Sequence, residues 1–251
     1  MSAELIALWD SEAGQDSRIQ TAKLIRKLVR SSSHEEALSL IARLEVLDLS
    51  VDPWMKRNWP LDLSVLQLLP RVNGVKLNGS AVKSLEPLTH LTSLKSLFLD
   101  EVLLENPEWI GSFGALEVLS ARKCQLRNVD FISSLSALRE VNLAENSLTT
   151  LKPFAQLETL RLLDVSFNLI DDLGPISKRR SLRVLRLRRN ALTSLSGLED
   201  LRDLDELDVR DNRVMTLKPI KDLSMLNTLG VAGNPLTDDD VDTIRRSIRL
   251  L

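Results

Sequence analysis

The sequence predicts an α/β solenoid, with a parallel β-sheet on the concave face and short helical turns on the convex face. Three observations predict this fold class. Asparagine recurs every 22 residues, the segment before residue 72 has helical periodicity, and the last residues resemble a short amphipathic helix. Such a regular period is typical of chains in which each coil stacks on the next.

The repeat is clearest in the second half of the chain. Five segments, among them "LREVNLAENSL" and "LRVLRLRRNAL", share the pattern L-x-x-L-x-L-x-x-N-x-L, and three weaker copies precede them from Val72. The asparagines stand at Asn146, Asn168, Asn190, Asn212 and Asn234. This pattern is identified as the leucine-rich repeat, and its 22-residue spacing resembles the intracellular class of that family.

Each repeat predicts one short strand followed by a return segment. In "LREVNLAEN", Val141 and Leu143 are expected to point into the core while Glu140 and Asn142 point outward, because side chains alternate along a strand. The asparagine is expected to turn the chain and to bind backbone groups of adjacent coils. Cys124 stands at the asparagine position of its repeat, so we expect a buried structural thiol there.

Both ends of the repeat tract carry helical signals. "DSRIQTAKLIRKLVR" and "SHEEALSLIARLEVLD" each place apolar residues on one face, with capping-box spacing at Ser17 and at Ser33. The second stripe favours a helix through Leu47, although "LEVLDLS" also fits one more repeat strand. The "TDDD" segment after residue 236 predicts a C-terminal helix with acids in its first turn.

These signals divide the chain into three parts. Residues 1–71 are predicted to form a helical hairpin and linker, residues 72–236 about eight repeats, and residues 237–251 a capping helix. The irregular stretch "SVDPWMKRNWPLDLS", residues 50–64, lies between hairpin and repeats. We expect Trp54 and Trp59 to pack there and seal the hairpin to the solenoid.

The order of helical hairpin, "VDP" followed by "DLS", and repeats resembles the C-terminal part of the Rab geranylgeranyltransferase alpha subunit. That resemblance implies an accessory, non-catalytic role in protein prenylation, with the prenyltransferase beta subunit or a Rab escort protein as partner. The family's catalytic zinc lies on its beta subunit, and its repeat block has fewer copies. The larger helical part of the alpha subunit has no counterpart in this sequence.

A second resemblance keeps the fold and changes the partner. The 22-residue repeats are also similar to the leucine-rich regulatory subunit of protein phosphatase 1, to axonemal dynein light chains and to a U2 spliceosomal component. These relatives imply a scaffold that holds a phosphatase or another protein on its concave face.

Composition argues against several other classes of function. The chain holds 33 basic and 35 acidic side chains, a balance that disfavours nucleic acid as the partner. One cysteine, two histidines and no catalytic or cofactor-binding motif predict no enzyme, no cofactor and no metal site. The absence of disulfide pairing, of a secretory signal and of a long apolar run predicts a cytoplasmic protein without a membrane span.

The outward strand positions are the expected binding surface of a solenoid. Charged and aromatic residues occupy these positions in the middle repeats, whereas the last repeat offers only glycine and alanine. The predicted partner-binding residues on the concave face are Phe98, Asp100, Arg122, Glu140, Asp164, Phe167, Arg186, Arg188, Asp208 and Arg210. Phe167 is the strongest candidate, and a ladder of ion pairs between coils is the alternative role for the charged positions.

Overall fold

A computed structural model describes residues 2–13, 16–30, 33–50, 60–69, 71–242, 244 and 248–250. The chain divides into two compact units, Met1–Val102 and Leu103–Leu251. The predicted packing of Trp54 and Trp59 falls on residues 51–59, outside the described residues, and remains a prediction.

Three helices open the first unit: α1 (Ser2–Asp10), α2 (Ser17–Leu28) and α3 (His34–Ile41). The Ser33 hydroxyl accepts the Glu36 amide at 3.2 Å, which confirms the predicted cap of α3. For α2 the predicted cap is wrong by one residue, because Asp16 accepts the Arg18 amide at 2.8 Å. Helix α1 was not predicted; its Trp9 indole donates to the Ala22 carbonyl at 2.9 Å and fixes α1 against α2.

The prediction that α3 continues through Leu47 is wrong. The helix ends at Ile41, and Val46–Asp48 forms strand β1, in which Leu47 pairs with Val75. The alternative interpretation of "LEVLDLS" as one more repeat strand is therefore correct. Leu47 is buried in either arrangement, so its hydrophobicity did not distinguish helix from strand.

Strand β1 begins a parallel sheet in the first unit. It pairs with β2 (Gly74–Lys76), which pairs with β3 (Ser96–Phe98). The return segments contain 3-10 helices at Leu63–Leu68 and Glu86–His90. Gly74 is required for close packing, because a Cβ there would lie 2.5 Å from the Ser96 hydroxyl and 2.9 Å from a Val46 methyl.

The second unit carries seven parallel strands within its described residues. They follow one another in chain order, and each pairs with the next: β4 (Val118–Ser120), β5 (Glu140–Asn142), β6 (Leu162–Asp164), β7 (Val184–Arg186), β8 (Glu206–Asp208), β9 (Thr228–Gly230) and β10 (Arg249–Leu250). The central residue of each strand from β4 to β9 is buried. This arrangement confirms the predicted α/β solenoid of 22-residue coils.

Asparagine binds backbone groups of its own coil and of the preceding coil, in line with the predicted bonding between adjacent coils. The side-chain amide of Asn168 donates to the carbonyls of Leu143 and Val165, both at 3.0 Å, and its Oδ1 accepts the Leu148 amide at 2.8 Å. Asn146 serves Cys124 in the same way, since its Oδ1 accepts the Cys124 amide at 3.1 Å. Cys124 itself is buried, as predicted for a structural thiol at this position.

The residue before each asparagine position has a left-handed backbone. In the second unit these residues have φ between 52° and 76°, and they are Lys123, Glu145, Phe167, Arg189, Asp211 and Gly233. A positive φ is unfavourable for residues other than glycine, asparagine and aspartate. The turn after each strand therefore fixes the backbone of this residue, and with it the direction in which its side chain leaves the coil.

Short helical turns form the return segments of the second unit, as predicted. They are 3-10 helices at Pro107–Ser112, Asp130–Ser134, Lys152–Phe154, Gly174–Ile176 and Lys218–Ile220. Their apolar side chains, such as Phe154 and Ile176, are fully buried against the leucines of the strands.

The predicted C-terminal helix is shorter than expected. Helix α4 spans only Asp238–Asp242, and Thr237 caps it by accepting the Asp240 amide at 3.3 Å. The prediction of a helix over residues 237–251 is wrong at its end, because Arg249 and Leu250 form β10. The Arg249 amide donates to the Asn227 carbonyl at 2.8 Å, so the backbone of β9 gains a partner there.

Candidate functional site

The strand face is the name used here for the outward side of the sheet in the second unit. Its side chains come from alternate strand residues and from the left-handed residue that follows each strand. Three neighbouring coils, those of β6, β7 and β8, contribute most of its aromatic and charged groups. Four arginines and four carboxylates meet there: Arg186, Arg188, Arg189, Arg210, Asp164, Glu206, Asp208 and Asp211.

Arg186 joins three adjacent strands. Its Nε donates to Glu206 at 2.7 Å, and its Nη1 lies 4.0 Å from the Asp164 carboxylate. The hydrogen bond to Glu206 is the main cause that raises the pKa of Arg186 above its ordinary value. The predicted site residues Asp164 and Arg186 are therefore in contact. Glu206, which was not among the predicted site residues, completes their arrangement.

Arg188 and Arg189 share a single carboxylate on the next coil. The Arg188 Nε lies 2.8 Å from Asp211 Oδ2, and the Arg189 Nε lies 3.5 Å from the same oxygen. The hydrogen bond from Arg188 is the main reason that the pKa of Asp211 falls below its ordinary value. The predicted charge ladder between coils is present at these residues.

Phe167 lies beside this ladder. Its side chain is 37% exposed, and the Arg188 and Arg189 guanidinium carbons lie 5.8 and 5.1 Å from the ring centre. Its backbone is left-handed, with φ of 57°. The ring is therefore a surface group held by two cations rather than a member of the core, and it presents apolar area that remains open to solvent.

Asp208 departs from the prediction of an accessible binding residue. Its side chain is 7% exposed, because Arg210 covers it through bonds of 2.9 and 2.6 Å to its two oxygens. Gly230 on the next strand makes room for this pair, since a Cβ there would lie 2.8 Å from Asp208 Oδ1. The small residues of the last repeat therefore leave room for this salt bridge, in which Arg210 is half-buried and more accessible than Asp208.

Arg122 and Glu140 belong to the part of the strand face formed by β4 and β5. Arg122 is ion-paired with Glu145 of the next coil, and Glu140 is exposed at the start of β5. Two half-buried apolar residues, Leu162 and Val184, lie in register beside Glu140 and were not predicted as site residues. Their outward position in the strands is the signal that could have identified them.

Phe98 and Asp100 belong to the first unit. Phe98 is half-buried, and the Lys76 ammonium lies 5.2 Å from its ring centre. The Asp100 backbone amide donates to Asn78 Oδ1 at 2.9 Å. Phe98 and Lys76 therefore form a smaller aromatic and cationic pair on β3 and β2, and Asp100 lies in the turn after β3.

Neither a metal-binding cluster nor a membrane-spanning helix occurs in the described part of the chain. Within it, no group of three or more His, Cys, Asp or Glu side chains is placed to hold a metal ion. No helix among the same residues has the length and apolar character needed to cross a membrane. What the strand face presents is a field of paired charges around partly exposed apolar groups.

Comparison with known proteins agrees with the repeated strand-and-turn coils described above. Residues 158–214 match the family model described as leucine rich repeat. The structure is similar to an internalin, InlF, of Listeria monocytogenes, with a TM-score of 0.73, 25% identity, and coverage of 85% of this chain and 63% of the internalin. The chain is a leucine-rich-repeat solenoid.

Two further structures share this leucine-rich-repeat fold. Internalin C2 of Listeria monocytogenes has a TM-score of 0.71 at 23% identity, covering 93% of this chain and 96% of its own. A leucine-rich-repeat protein of Leptospira interrogans has a TM-score of 0.71 at 27% identity, covering 88% of this chain and 57% of its own. The chain thus spans less than two thirds of the InlF and Leptospira structures. No curated protein matches the sequence.

Proposed function

We propose that this leucine-rich-repeat protein is a non-catalytic module that binds a protein partner across the strand face, with Phe167 as the central contact. Leucine-rich-repeat proteins generally act as protein-interaction modules, and their extended strand surface is the usual binding site. The observation that carries the proposal is the placement of Phe167.

An exposed aromatic ring on a left-handed residue carries two energetic costs, one from the backbone and one from the side chain. The backbone conformation costs about 1–2 kcal/mol for a residue with a Cβ, and the open ring leaves apolar area in water. The equivalent turn residues of the neighbouring coils are Glu145 and Arg189, which are polar. A partner that covers the ring would offset both costs, and aromatic residues are frequent at the energetic centres of interfaces.

The surrounding charges would orient the partner rather than supply most of the affinity. Arg186 and Arg188 already have carboxylate partners on the protein, so their binding to a new group requires exchange of an existing ion pair. Leu162 and Val184 extend the apolar area next to the charged groups. An apolar centre with a polar rim is the usual composition of a specific interface.

The resemblance of the sequence to the Rab geranylgeranyltransferase alpha subunit supplies one class of candidate partner, the prenyltransferase beta subunit or a Rab escort protein. The similarity to the regulatory subunit of protein phosphatase 1 supplies a second, a phosphatase. The balanced charge and the single cysteine favour a protein partner in the cytoplasm.

The test is affinity purification from the source cell with the full chain as bait, followed by identification of the partners by mass spectrometry. The recovered partner is then titrated against Phe167→Ala and against Met215→Ala. Met215 is a suitable control because it is apolar and 65% exposed but lies on a return segment. We expect Phe167→Ala to weaken binding by more than about 1 kcal/mol, which is roughly a fivefold rise in Kd, and Met215→Ala to have no effect.

Thermal unfolding of both variants is measured alongside binding. A loss of stability in Phe167→Ala with unchanged affinity would assign the ring to local packing and would remove the strand face as the binding site. Equal loss of affinity in both variants would show that exposed apolar area in general, rather than this site, governs the interaction.

A further inference from the structure

A second surface of the Leu103–Leu251 unit lies at the edge where the strands begin. One residue of each coil occupies this edge, immediately before its strand: Glu117, Arg139, Arg161, Arg183, Asp205 and Asn227. Backbone hydrogen bonds hold them side by side. The Arg161 amide donates to the Arg139 carbonyl, and the Arg183 amide to the Arg161 carbonyl, each at 2.8 Å.

The outer members of this row have partners, but the two central arginines do not. Arg139 lies 3.4 Å from Glu117, and Asp205 accepts the Asn227 side-chain amide at 2.7 Å. Arg161 and Arg183 are exposed and form no ion pair with any described residue. The arginines of the strand face differ in this respect, because each is paired with a carboxylate.

Further cations reach the same edge from the segment that leads into β7. Lys178 and Arg180 are exposed, and neither is ion-paired within the described parts of the chain. The chain then turns towards the strand, since the Leu182 amide donates to the Arg179 carbonyl at 3.0 Å. Lys178, Arg180 and Arg183 are therefore exposed within six consecutive residues, which lead into the strand next to that of Arg161.

Arg179 is the unexpected residue of this stretch. The equivalent residues of four other coils, at intervals of 22, are buried leucines: Leu135, Leu157, Leu201 and Leu223. The Arg179 side chain is half-buried in that position, and its Nε and Nη1 are buried without a hydrogen-bond partner. A leucine there would fill the same space without leaving polar atoms unpaired.

We propose that this basic edge, formed by Arg161, Lys178, Arg179, Arg180 and Arg183, binds the carboxylate groups of a short acidic segment of a protein. Two unpaired arginines on adjacent coils lie about 4.8 Å apart along the sheet, which suits consecutive carboxylates of one peptide. Because Nε and Nη1 of Arg179 are buried, Arg179 contributes positive charge to the basic edge rather than direct bonds from these two nitrogens. This surface is separate from the strand face, so the inference does not depend on the proposed function.

The ligand class follows from what borders the basic edge. The segments 156–161, 178–183 and 200–205 contain no aromatic residue, and single-stranded nucleic acid binds largely through stacking on aromatic rings. Glu158, Asp200 and Asp203 are exposed on the adjacent coils and would repel a long polyanion. A short acidic peptide, anchored at the cations and ending before these acids, fits the charge distribution better.

The test measures binding of a short fluorescent oligoglutamate peptide to the full chain by anisotropy at low ionic strength. The double variant Arg161→Gln/Arg183→Gln is expected to weaken binding about fivefold. The control is Arg127→Gln/Arg213→Gln, which removes the same charge from exposed arginines elsewhere in the unit and should leave binding within about twofold of the original.

Arg179→Leu gives a second, independent result. We expect its melting temperature to rise, because the buried unpaired nitrogens are replaced by the side chain that the other coils carry. We also expect its affinity for oligoglutamate to fall. A purely structural role for Arg179 would leave the affinity unchanged while stability rises, and that result would remove Arg179 from the site.

Three outcomes would overturn the proposal. One is no measurable binding of oligoglutamate to the original chain, and another is equal loss of binding in the two double variants. The third is tighter binding of a single-stranded oligonucleotide of matched charge that depends on Arg161 and Arg183, which would assign the basic edge to nucleic acid.

Discussion

The Arg188 guanidinium donates through Nε to Oδ2 of Asp211 at 2.8 Å, which connects the strand end of one coil to the turn of the next. Asp211 has a left-handed backbone with φ of 57°, so the carboxylate is presented from a fixed turn rather than from a flexible loop. Arg189 approaches the same oxygen at 3.5 Å. The turn of one coil thus holds the two cations that flank Phe167.

This pair predicts a pH dependence of stability. The hydrogen bond from Arg188 lowers the pKa of Asp211 below its ordinary value of 3.8. The folded state therefore holds the carboxylate ionised at a pH where the unfolded chain protonates it. The stabilisation is present above pH 3.8 and is lost as the pH falls through the lower folded-state pKa. Urea unfolding of Asp211→Asn between neutral and acidic pH should show a shallower loss of stability than the original chain.

The control for that measurement is Asp222→Asn. Asp222 is exposed on a return segment and has no ion pair among the residues that the structure describes. Its substitution should leave the slope of stability against pH unchanged. An identical slope in all three proteins would show that the Arg188 bond does not contribute to folding.

The core of each coil predicts a large loss of stability on truncation. Leu187 is fully buried, and Leu187→Ala should lower the free energy of unfolding by about 2–5 kcal/mol because it leaves a cavity between coils. Asn142→Ala, on the outward side of β5, should cost less than about 1 kcal/mol. Chemical denaturation measures both, and comparable mild effects would mean that the assigned inward and outward positions are incorrect.

The asparagine ladder predicts a difference between two substitutions at one residue. Asn168→Ala removes four hydrogen bonds to backbone groups and should cost about 1–3 kcal/mol. Asn168→Asp keeps the acceptor for the Leu148 amide but places an anionic oxygen beside the Leu143 and Val165 carbonyls. It should therefore be at least as destabilising at neutral pH and should recover stability in acid, as followed by denaturation. If Asn168→Asp does not regain stability in acid, the bond to the Leu148 amide contributes more to stability than the bonds to the two carbonyls.

The left-handed backbone of Phe167 predicts the order of stability of two variants. Phe167→Gly should be more stable than Phe167→Ala by about 0.5–1 kcal/mol, since glycine adopts positive φ without the clash of a Cβ. Both variants lose the ring and its two cation contacts, so these losses cancel in the comparison. Thermal unfolding measures the order, and a more stable alanine variant would contradict the left-handed assignment.

Two glycines predict opposite effects of the same substitution. Gly233→Ala should destabilise by about 1–3 kcal/mol, because φ is 76° and the new Cβ would lie 2.5 Å from Asp211 Oδ1. A Cβ at Gly114 would meet no atom within 4 Å, and its φ is not positive. Gly114→Ala should be neutral or stabilising by up to about 1 kcal/mol. Equal effects would show that the C-terminal turn tolerates a side chain.

Sequence was sufficient for the repeats because two signals coincide at each coil. Inward residues such as Val141 and Leu143 follow the period of a strand, and asparagine marks the turn at a constant interval. Each coil repeats the same backbone hydrogen bonds, so an error in one coil would conflict with its neighbours. The same redundancy predicts that Cys124 lies in the core, where the structure places it.

Prediction failed where a short apolar run lacked that redundancy. Leu47 fits both a helix and a strand, and only the pairing of β1 with β2 distinguishes them. The C-terminal segment similarly fits an amphipathic helix through Ile248, but Arg249 and Leu250 pair with β9 as a strand. Both outcomes depend on contacts between segments distant from one another in sequence, which local periodicity does not contain.

The candidate site was predicted only in part, for a related reason. The outward positions of Arg186 and Phe167 follow from strand alternation, but their partners depend on rotamers and on side-chain reach between coils. Asp208 was expected to be accessible, and Arg210 covers it because Gly230 leaves the necessary space. Charge pairing of this kind is a property of three coils together rather than of one repeat.

The buried Cys124 thiol can report how often the core around it opens. It is the one thiol in the sequence. Its side chain is buried, and its backbone amide donates to Asn146 Oδ1. A thiol reagent added to the native protein would modify it only during excursions that separate adjacent coils, so the reaction rate would report the free energy of those excursions. Because a stacked chain opens between neighbours rather than all at once, that rate would show whether the coils around β4 open separately from the whole molecule.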